Sequence, residues 1–381
     1  MAPDAALEGF LQLIEARPDL GGRYTGPIRI GQSGGNGRFS LLFSATDNQT
    51  GRRVAIKIFR PDRIQETYRY QSFCREALLL ERLAGTPNIL GWVGKQDEYV
   101  EPMVSTTGIP FDLRFPYFAV ELASGDFGAI CRLGKWGPEK KLEAFREMCK
   151  AVQRIHKNEI VHRDIKPSNF LVMDNGDIKL SDFGTARLID GIEPPILANY
   201  PAAPGDTRYA SPEMHALLHD DDPTICQYGD IFALGATLFE LCTGAILGVQ
   251  LFDASFAHDL AQSMGAVHKR DRRRIFLQFV QTLDAGHPLP SISEYASDVP
   301  ASIRTHVDDL YQSMATLDYR RRLCDFTMIF LKLNQCLLVL RNEAKVHRWR
   351  KQKEVYRQNH RAKLARRQEV ITLTRLGDFQ C

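Results

Sequence analysis

The chain has 381 residues, of which 44% are hydrophobic and 25% are charged, and its formal net charge is +3. This composition is typical of a globular protein large enough for two lobes with their own cores, and it excludes a largely disordered chain. The 8 cysteines are scattered without a C-x-x-C pair, which argues against a zinc site or a disulfide framework and favours a reducing compartment.

The first 22 residues are predicted to form a helical extension. Apolar side chains recur at helical spacing from Leu7 to Ile14, and Pro18 followed by a Gly pair ends the run. The segment lacks the basic region and the long apolar region of a secretion signal. We therefore expect a cytoplasmic protein with an appended N-terminal helix, residues 1–22.

The following part of the chain divides by pattern into a strand-rich region and a helical region. Short runs of β-branched and aromatic residues, separated by Gly and Asn turns, dominate residues 23–123, with one helix-like stretch at 70–83. Helical patterns dominate residues 124–340, where short strands are expected only near 170–172 and 178–180. These patterns predict a small β-rich lobe followed by a larger helical lobe.

One apolar stretch, residues 231–252, is about as long as a helix that spans a bilayer. However, Glu240 lies in its middle, and Gly244 and Gly248 interrupt its second half. These features favour a buried core helix, so we expect no transmembrane segment here.

The motifs that carry chemistry begin in the strand-rich region. Gly35 and Gly37 lie between two β-type runs, where glycines let backbone N–H groups approach phosphates, although such a turn is weak evidence alone. Lys57 follows Val-Ala-Ile on an apolar strand and needs a partner, because burying an unpaired ammonium group is costly. Glu76, 19 positions later, is the expected partner, and the pair would hold the lysine over the α and β phosphates of a nucleotide.

A second cluster is far more specific. The sequence HRDIKPSN begins at His162, and DFG begins at Asp182. Asp164 is placed to accept the proton of an incoming hydroxyl group, and Lys166 to neutralise a transferring phosphoryl group. Asn169 and Asp182 offer oxygen ligands to a hard cation such as Mg2+. The cluster therefore predicts phosphoryl transfer.

These motifs resemble those of the protein kinase superfamily, in the family's order, over about residues 24–340. Asp-x-Lys-Pro-x-Asn resembles the Ser/Thr type, because tyrosine kinases usually lack a lysine at the position of Lys166. The resemblance implies an α+β fold, the bilobal protein kinase fold, with a small β-rich N-lobe and a large helical C-lobe. It also implies ATP and Mg2+ as cofactors and Ser/Thr hydroxyl groups of protein substrates as acceptors.

The resemblance assigns further roles residue by residue. Glu121 and Ala123 fall in the hinge, whose backbone groups bond adenine, and Val120 gates the pocket behind it. The nucleotide-binding set is Gly35, Gly37, Phe39, Ser40, Leu42, Ala55, Lys57, Glu121, Ala123 and Asp126, the last at the ribose position. The catalytic set is Asp164, Lys166, Lys57, Glu76 and Thr207, and the metal ligands are Asn169 and Asp182.

Other positions match the family or depart from it. Ser-Pro-Glu ending at Glu213 resembles the end of the activation segment, and Glu213 is expected to pair with Arg322. Asp230 resembles the aspartate that opens the large core helix. In the glycine-rich loop, Ser40 replaces the third glycine and Leu42 replaces the usual valine over adenine.

The activation segment also departs from the family. Gly205-Asp206-Thr207 stands where the family has Gly-Thr, and we take Thr207 as the residue that bonds Asp164 and Lys166. The preceding loop, residues 188–206, contains no Ser or Thr.

That absence bears on regulation, because an arginine at the position of Arg163 usually implies control by a phosphate on this loop. We hypothesise that a carboxylate, Asp190, Glu193 or Asp206, pairs with Arg163 instead. The enzyme would then be active without phosphorylation of its activation loop.

Charge is unevenly distributed along the chain. Residues 341–376 contain 12 Lys and Arg but 3 Asp and Glu, whereas the rest contains 37 basic and 43 acidic residues. We expect a basic helical tail at 341–381 that either binds nucleic acid or an anionic membrane, or folds back on the acidic body. A second basic group at 269–274 is either a docking patch for acidic substrates or a solvated helix face.

Two alternatives to an active protein kinase stay open at this point. A pseudokinase scaffold would present the basic tail to partners, although every residue with a chemical role is present. A small-molecule kinase is disfavoured because such enzymes typically lack a segment like Ser-Pro-Glu, which builds a platform for protein substrates.

Overall fold

The computed structural model describes residues 3–30, 40–104, 107–134, 136–189, 203–220, 222, 224–253, 255–286, 288–295 and 297–377. Within them, a β-rich N-terminal region precedes a helical C-terminal region, as the sequence predicts. Gly35, Gly37, Phe39, Asp190 and Glu193, which the sequence analysis names, lie outside the described residues.

The N-terminal region contains a six-stranded antiparallel sheet in the order β1-β2-β3-β4-β6-β5. Its strands are β1 (Asp19–Leu20), β2 (Tyr24–Arg29), β3 (Ser40–Asp47), β4 (Arg53–Phe59), β5 (Trp92–Val104) and β6 (Pro110–Glu121). In this register Lys57 lies opposite Leu42 on β3 and Phe118 on β6. Because side chains alternate along a strand, Ala55 and Lys57 share the inner face of the sheet.

Helix α1 (Pro3–Glu15) covers the outer face of this sheet. Phe10 and Ile14 belong to one buried cluster with sheet residues such as Phe43 and Ile56. The helical spacing of apolar residues in the sequence thus corresponds to a buried helix face. The even-numbered apolar side chains of β4 point into this cluster, which leaves the odd-numbered ones for the inner face.

Helix α2 (Thr67–Arg82) packs on the inner face. Phe73 is buried against Phe59, with ring centroids 5.6 Å apart, and against Phe118, at 5.0 Å. These contacts fix the rotation of α2 about its axis. Glu76, less than one turn after Phe73, therefore faces Lys57 rather than solvent.

The C-terminal region is built mostly of helices. They are α3 (Phe127–Arg132), α4 (Pro138–Lys157), α5 (Pro212–His215), α6 (Ile225–Thr243), α7 (Leu247–Leu251), α8 (Phe256–Gly265), α9 (Lys269–Gly286), α10 (Ala301–Ala315) and α11 (Phe326–Gly377). Its short strands are β7 (Gly125–Asp126), β8 (Ile160–Val161), β9 (Phe170–Val172), β10 (Ile178–Leu180) and β11 (Arg187–Leu188). Only β9 and β10 were expected, because a two-residue strand is too short to show an alternating pattern.

The apolar stretch at 231–252 forms parts of two helices rather than the single core helix expected. Helix α6 is almost entirely buried, and it ends at Gly244, whose φ of 76° lies in the left-handed region that favours glycine. Glu240 accepts a hydrogen bond of 2.5 Å from the Tyr209 hydroxyl group, which accounts for a carboxylate in an apolar helix. Among the described residues, no helix is long and apolar enough to cross a membrane.

Helix α11 runs without interruption from Phe326 to Gly377. Its first turns pack into the main core through Leu333 and Leu337. Arg341 joins it to α4 through Glu139, at 2.8 Å, and Glu143, at 2.5 Å. The helix therefore passes the predicted start of the tail, residue 341, without a break.

Candidate active site

The first part of the site is an ion cluster between β4, α2 and the turn after β10. Lys57 Nζ lies 2.6 and 2.8 Å from the carboxylate oxygens of Glu76, and 3.8 Å from Asp182 Oδ1. Burial alone would lower the pKa of Lys57, but the two carboxylates outweigh it and the pKa is raised. Burial raises the pKa of Glu76 against the opposing effect of Lys57. The pair predicted from the sequence is present.

Asp182 is the open member of this cluster. Its side chain is 43% exposed, whereas that of Glu76 is 5% exposed. Its φ of 61° lies in the left-handed region, a conformation that costs a non-glycine residue about 1–2 kcal/mol. The following residues form a 3-10 turn, Phe183–Thr185, and the Phe183 ring is buried edge-on against His162. The Asp182 carboxylate is therefore partly exposed to solvent, while the turn that follows it is packed into the interior.

The second part of the site is the loop from His162 to Asn169, in which Asp164 is the centre of a hydrogen-bond network. Its Oδ2 accepts from Lys166 Nζ at 2.8 Å and from Asn169 Nδ2 at 3.0 Å. Its Oδ1 accepts from the backbone N–H of Asp206 at 2.8 Å. Donors from two segments of the chain therefore fix the carboxylate in one orientation.

Asp230, on helix α6, fixes the backbone of this loop by hydrogen bonds. Its two carboxylate oxygens accept the N–H groups of His162 and Arg163, each at 2.8 Å, and His156 Nε2 lies 2.9 Å away. Arg163 has a φ of 65°, so the loop is strained where Asp230 binds it. Asp230 lies inside α6, which begins at Ile225, and does not open that helix as the sequence analysis expected.

The segment that contacts Asp164 differs from the expectation for Thr207. Asp206 makes the contact through its backbone N–H, whereas the Thr207 side chain is exposed. Gly205 makes this approach feasible, because its φ is 85° and a Cβ there would lie 2.5 Å from the Arg163 carbonyl oxygen. A backbone donor replaces the predicted hydroxyl group.

The carboxylate of Asp206 was one of three candidates for pairing with Arg163. It pairs instead with Arg208, with Oδ2 at 2.7 Å from Nη2 and Oδ1 at 3.0 Å from Nε. Burial would raise the pKa of Asp206, but the hydrogen bonds with Arg208 lower it overall. The Asp206 carboxylate is therefore held as an anion on the residue whose N–H contacts Asp164.

Among the described residues, the predicted nucleotide-binding residues lie on the inner face of the sheet and in the connection after β6. Ala55 and Val120 are buried, and Leu42 is half-buried on the neighbouring strand. Ser40 is buried at the first position of β3. The backbone register places all of them on strands that pair with one another, β3 with β4 and β4 with β6.

The predicted hinge and ribose residues make contacts that the sequence did not indicate. Glu121 pairs with Lys179, with both carboxylate oxygens 2.6 Å from Nζ. Asp126 caps α3 by accepting the N–H of Ala129 at 2.7 Å. These side chains support the backbone of the connection, in which Ala123 is half-buried.

The oxygen donors Asn169 and Asp182 fit a magnesium ion. Asn169 Nδ2 donates to the backbone oxygen of Asp164 at 2.7 Å, which fixes the amide and directs its oxygen away from that residue. Within the described residues, no group of three or more His, Cys, Asp or Glu side chains forms a metal site. Mg2+ is usually held by one or two carboxylates together with substrate phosphates, so a sparse oxygen set is the arrangement expected for it.

Glu213 and Arg322 form an ion pair in the C-terminal region, which confirms the predicted pairing. The atoms Arg322 Nη1 and Glu213 Oε1 are 2.5 Å apart, and both side chains are fully buried. Arg322 also donates to the backbone oxygens of Tyr228 and Thr316, at 2.8 Å each. The pair joins helix α5, which contains Glu213, to the core of the C-terminal region.

The basic group at 269–274 lies at the start of α9. Arg272 is buried, and its Nε donates to the Val267 oxygen at 3.2 Å. The other basic side chains of this group, Lys269, Arg270, Arg273 and Arg274, are exposed. Apart from Arg272, the group forms an exposed basic helix face, which both interpretations require, the solvated face and the docking patch for acidic substrates.

Comparison with known proteins gives concordant results. A family model described as the protein kinase domain matches residues 28–332. A probable serine/threonine-protein kinase of Corynebacterium efficiens is 32% identical, over 56% of this chain and 30% of the relative. Serine/threonine-protein kinase PknA of Mycobacterium tuberculosis is 28% identical, over 60% of this chain and 49% of the relative. CBL-interacting protein kinase 11 of Oryza sativa is 29% identical, over 61% of this chain and 42% of the relative. The chain thus matches less than half the length of these relatives.

Proposed function

This chain belongs to the protein kinase family, and from that premise we propose that it transfers the γ-phosphoryl group of ATP to Ser or Thr hydroxyl groups of protein substrates. The observation that carries the proposal is the joint placement of two networks. Lys57, Glu76 and Asp182 form one, and Asp164 with Lys166 forms the other. Each network supplies charges that phosphoryl transfer requires.

The lysine side of the site binds phosphates. Lys57 is held as a cation by Glu76 and Asp182 and lies on the inner face of the sheet. An ammonium group there neutralises the α and β phosphates. Because Glu76 is anchored through α2, the lysine does not have to be reoriented when the nucleotide binds.

The catalytic loop acts on the acceptor hydroxyl group. Asp164 has the oxygen acceptor that orients the hydroxyl group and takes its proton. Lys166, 2.8 Å from that carboxylate, places a positive charge beside the phosphoryl group as it moves. The N–H of Asp206 keeps the carboxylate from rotating away.

Magnesium would be held by Asn169 and Asp182, and when bound it would neutralise charge on the phosphates. Asn169 is oriented for this by its donation to Asp164. Asp182 is presented by the strained turn that follows β10. The names of the relatives from Corynebacterium and Mycobacterium support Ser and Thr as the acceptors.

We propose that activity does not require phosphorylation of the activation loop. The loop from 188 to 206 has no Ser or Thr, while Asp164 and Asp182 are already placed by contacts within the described residues. Asp206 is engaged by Arg208, and the other two candidates for a carboxylate partner of Arg163, Asp190 and Glu193, lie outside the described residues.

The proposal assigns four parts to the chain: an N-terminal extension at 1–22, an N-lobe at 23–123, a C-lobe at 124–340 and a basic tail at 341–381. The tail is proposed to contact nucleic acid or an anionic membrane. Deleting residues 342–381 and measuring retention on RNA, DNA and anionic liposomes at two salt concentrations tests this, because charge attraction weakens with salt. A cytoplasmic location is also proposed, and the free thiols of the described cysteines are consistent with it.

The decisive experiment is incubation of the full chain with labelled ATP and Mg2+, followed by mapping of the labelled residues. Wild type is expected to label Ser or Thr, and Asp164→Ala and Asp182→Ala to lose the label. Equal labelling in all three would show that the transfer is not catalysed at this site. A folded wild-type protein without activity would favour the pseudokinase alternative.

A further inference from the structure

The last two residues of β2, Ile28 and Arg29, lie beyond an irregularity in the strand. The register between β2 and β3 shifts between Thr25 and Ile28, where Gly26 has a φ of 59°, in the left-handed region. Strand β1 pairs with β2 only as far as Thr25. Among the described residues, β2 is therefore an edge strand after the shift, and edge strands leave backbone N–H groups without a strand partner.

A carboxylate of helix α1 occupies the position of the missing strand. The N–H of Ile30 donates to the carbonyl oxygen of Leu42 on β3 at 3.0 Å, so the N–H of the preceding residue, Arg29, points to the opposite side of β2. There Glu15 Oε1 accepts it at 3.0 Å. Glu15 is the last residue of α1. The end of the helix thus satisfies a backbone group that would otherwise pair with a further strand.

The side chain of Arg29 adds a second connection to the same helix. Its Nη2 lies 3.1 Å from Glu15 Oε2 and 3.0 Å from Glu8 Oε1, and its Nη1 lies 3.1 Å from Glu8 Oε2. The two carboxylates are about two turns apart on α1. The helix itself is fixed to the sheet, because the Phe10 ring packs edge-on against Phe115 of β6, with centroids 4.8 Å apart. Helix α1 therefore joins the end of β2 to a strand at the other side of the sheet.

We propose that Glu15 is a positioning residue through which α1 fixes the end of β2 and thereby favours nucleotide binding. Strand β2 leads into residues 31–39, where the sequence predicts the phosphate-binding glycines Gly35 and Gly37. A fixed strand end lowers the conformational entropy that the following residues lose when they bind phosphates. Helix α1 lies outside the range 28–332 that the family model matches, so the contact comes from a segment that the model does not include. The inference rests on the proposed kinase function for its effect on nucleotide binding, but not for the contact itself.

The test compares Glu15→Ala with Glu101→Ala in the full chain. Glu101, on β5, forms an ion pair of 3.0 Å with Arg17, which follows α1, so its loss removes a similar contact of the N-terminal segment without touching β2. Glu15→Gln, which keeps an oxygen acceptor but not the charge, is the conservative variant. Hydrogen exchange of the amides at 26–30, the melting temperature, the KM for ATP and the kcat of phosphate transfer are measured for all three variants and wild type.

For Glu15→Ala we expect faster exchange at 26–30 and a KM for ATP about five- to tenfold higher at unchanged kcat, since about one hydrogen bond of binding is lost and the groups that act on the phosphoryl group are not touched. Glu15→Gln should lie between this variant and wild type. Glu101→Ala should match wild type in exchange at 26–30 and in KM, although both alanine variants lower the melting temperature slightly. The proposal is refuted if Glu15→Ala keeps the wild-type exchange or KM, or if Glu101→Ala raises the KM equally. An inactive wild type would refute the kinase function, while exchange at 26–30 and calorimetric binding of ATP would still decide whether Glu15 positions β2.

Discussion

Two carboxylate–cation pairs, one in each region of the molecule, have nearly the same geometry and different surroundings. Lys57 and Glu76 approach to 2.6 Å, and Arg322 and Glu213 to 2.5 Å. The first pair retains 13% and 5% exposure, whereas the second has none. The short distance alone therefore does not indicate what each pair does.

The surroundings of each pair indicate its role. Arg322 also donates hydrogen bonds to the backbone oxygens of Tyr228 and Thr316, so its site is closed and hydrogen-bonded to the backbone. The Lys57 pair has Asp182 as a half-exposed third member, so its site is open on one side to a charged ligand. We interpret the closed pair as a structural contact between segments of the chain. The open cluster of charges, which includes a residue with a strained backbone, is instead a candidate functional site.

The largest effect should come from Asp182→Asn. The substitution removes the open carboxylate, and we expect about a 1,000-fold loss of phosphate transfer, equivalent to about 4 kcal/mol. Stability should be unchanged, because asparagine tolerates the left-handed backbone as well as aspartate does. Asp177→Asn, an exposed carboxylate between β9 and β10, is the control for lost charge. Activity that survives Asp182→Asn would break the contrast between the two pairs.

The closed pair should show the opposite behaviour. Arg322→Met leaves Glu213 buried without its cation, and we expect the free energy of unfolding to fall by about 3–5 kcal/mol. Arg320→Met removes the partly exposed ion pair between Arg320 and Asp318, and the free energy of unfolding should fall by less than about 1 kcal/mol. Urea unfolding measures both. Adding Glu213→Leu to Arg322→Met should recover much of the loss, and a wild-type midpoint for Arg322→Met alone would contradict the structural role.

Both pairs could be predicted from the sequence, because each partner is identified by a motif and by its side chain. The contact between Asp206 and Asp164 could not be, since it uses a backbone N–H group, and every residue except proline has one. The expectation for Thr207 assumed a side-chain donor. The sequence did not indicate the hydrogen bond from Arg75 to the Gly184 carbonyl oxygen for the same reason, because the acceptor is a backbone group 109 positions away.

For the fold, too, features that depend on side-chain type could be predicted from the sequence, whereas features that depend on the backbone could not. The apolar spacing of α1 and the burial of α6 follow from the pattern, because they depend on which residues are apolar. The end of α6 at Gly244 depends on a backbone conformation, so the two interrupting glycines indicated a break without showing which of them ends the helix. Asp230 could be matched to a helix, but not to the N–H groups of His162 and Arg163 that it holds.

A milder substitution sharpens the comparison within the open cluster. Glu76→Gln keeps the shape and an oxygen acceptor but removes the charge, while Asp182 still lies 3.8 Å from Lys57. We expect kcat/KM to fall about 10- to 100-fold, or about 1.4–2.7 kcal/mol, with a small change in melting temperature. Glu81→Gln, exposed on the same helix, should have no effect. A large loss of stability in Glu76→Gln would mean that this pair, too, is a structural joint.

The smallest expected effect is a loss of folding stability at acid pH. We assign it to His215, which lies two residues after Glu213 of the closed pair. Burial lowers the pKa of His215 to about 4, although Glu213 and the backbone at Thr207 and Ala210 act in the opposite direction. The unfolded chain binds a proton near pH 6.5 and the folded chain only near pH 4, so between these values the unfolded state is favoured as the pH falls. Stability should decrease by up to about 1.4 kcal/mol per pH unit on this account.

His215→Gln tests that assignment, because it removes the titrating group and keeps a polar side chain of similar size. Unfolding in urea at pH 7 and pH 5 should show that the variant loses about 2 kcal/mol less than wild type on acidification. His258→Gln, on the neighbouring helix α8 and exposed at its surface, should leave the wild-type loss unchanged. If His215→Gln and wild type lose the same stability on acidification, the acid sensitivity does not come from His215. The surroundings of the closed pair would then not differ from the open cluster in this respect.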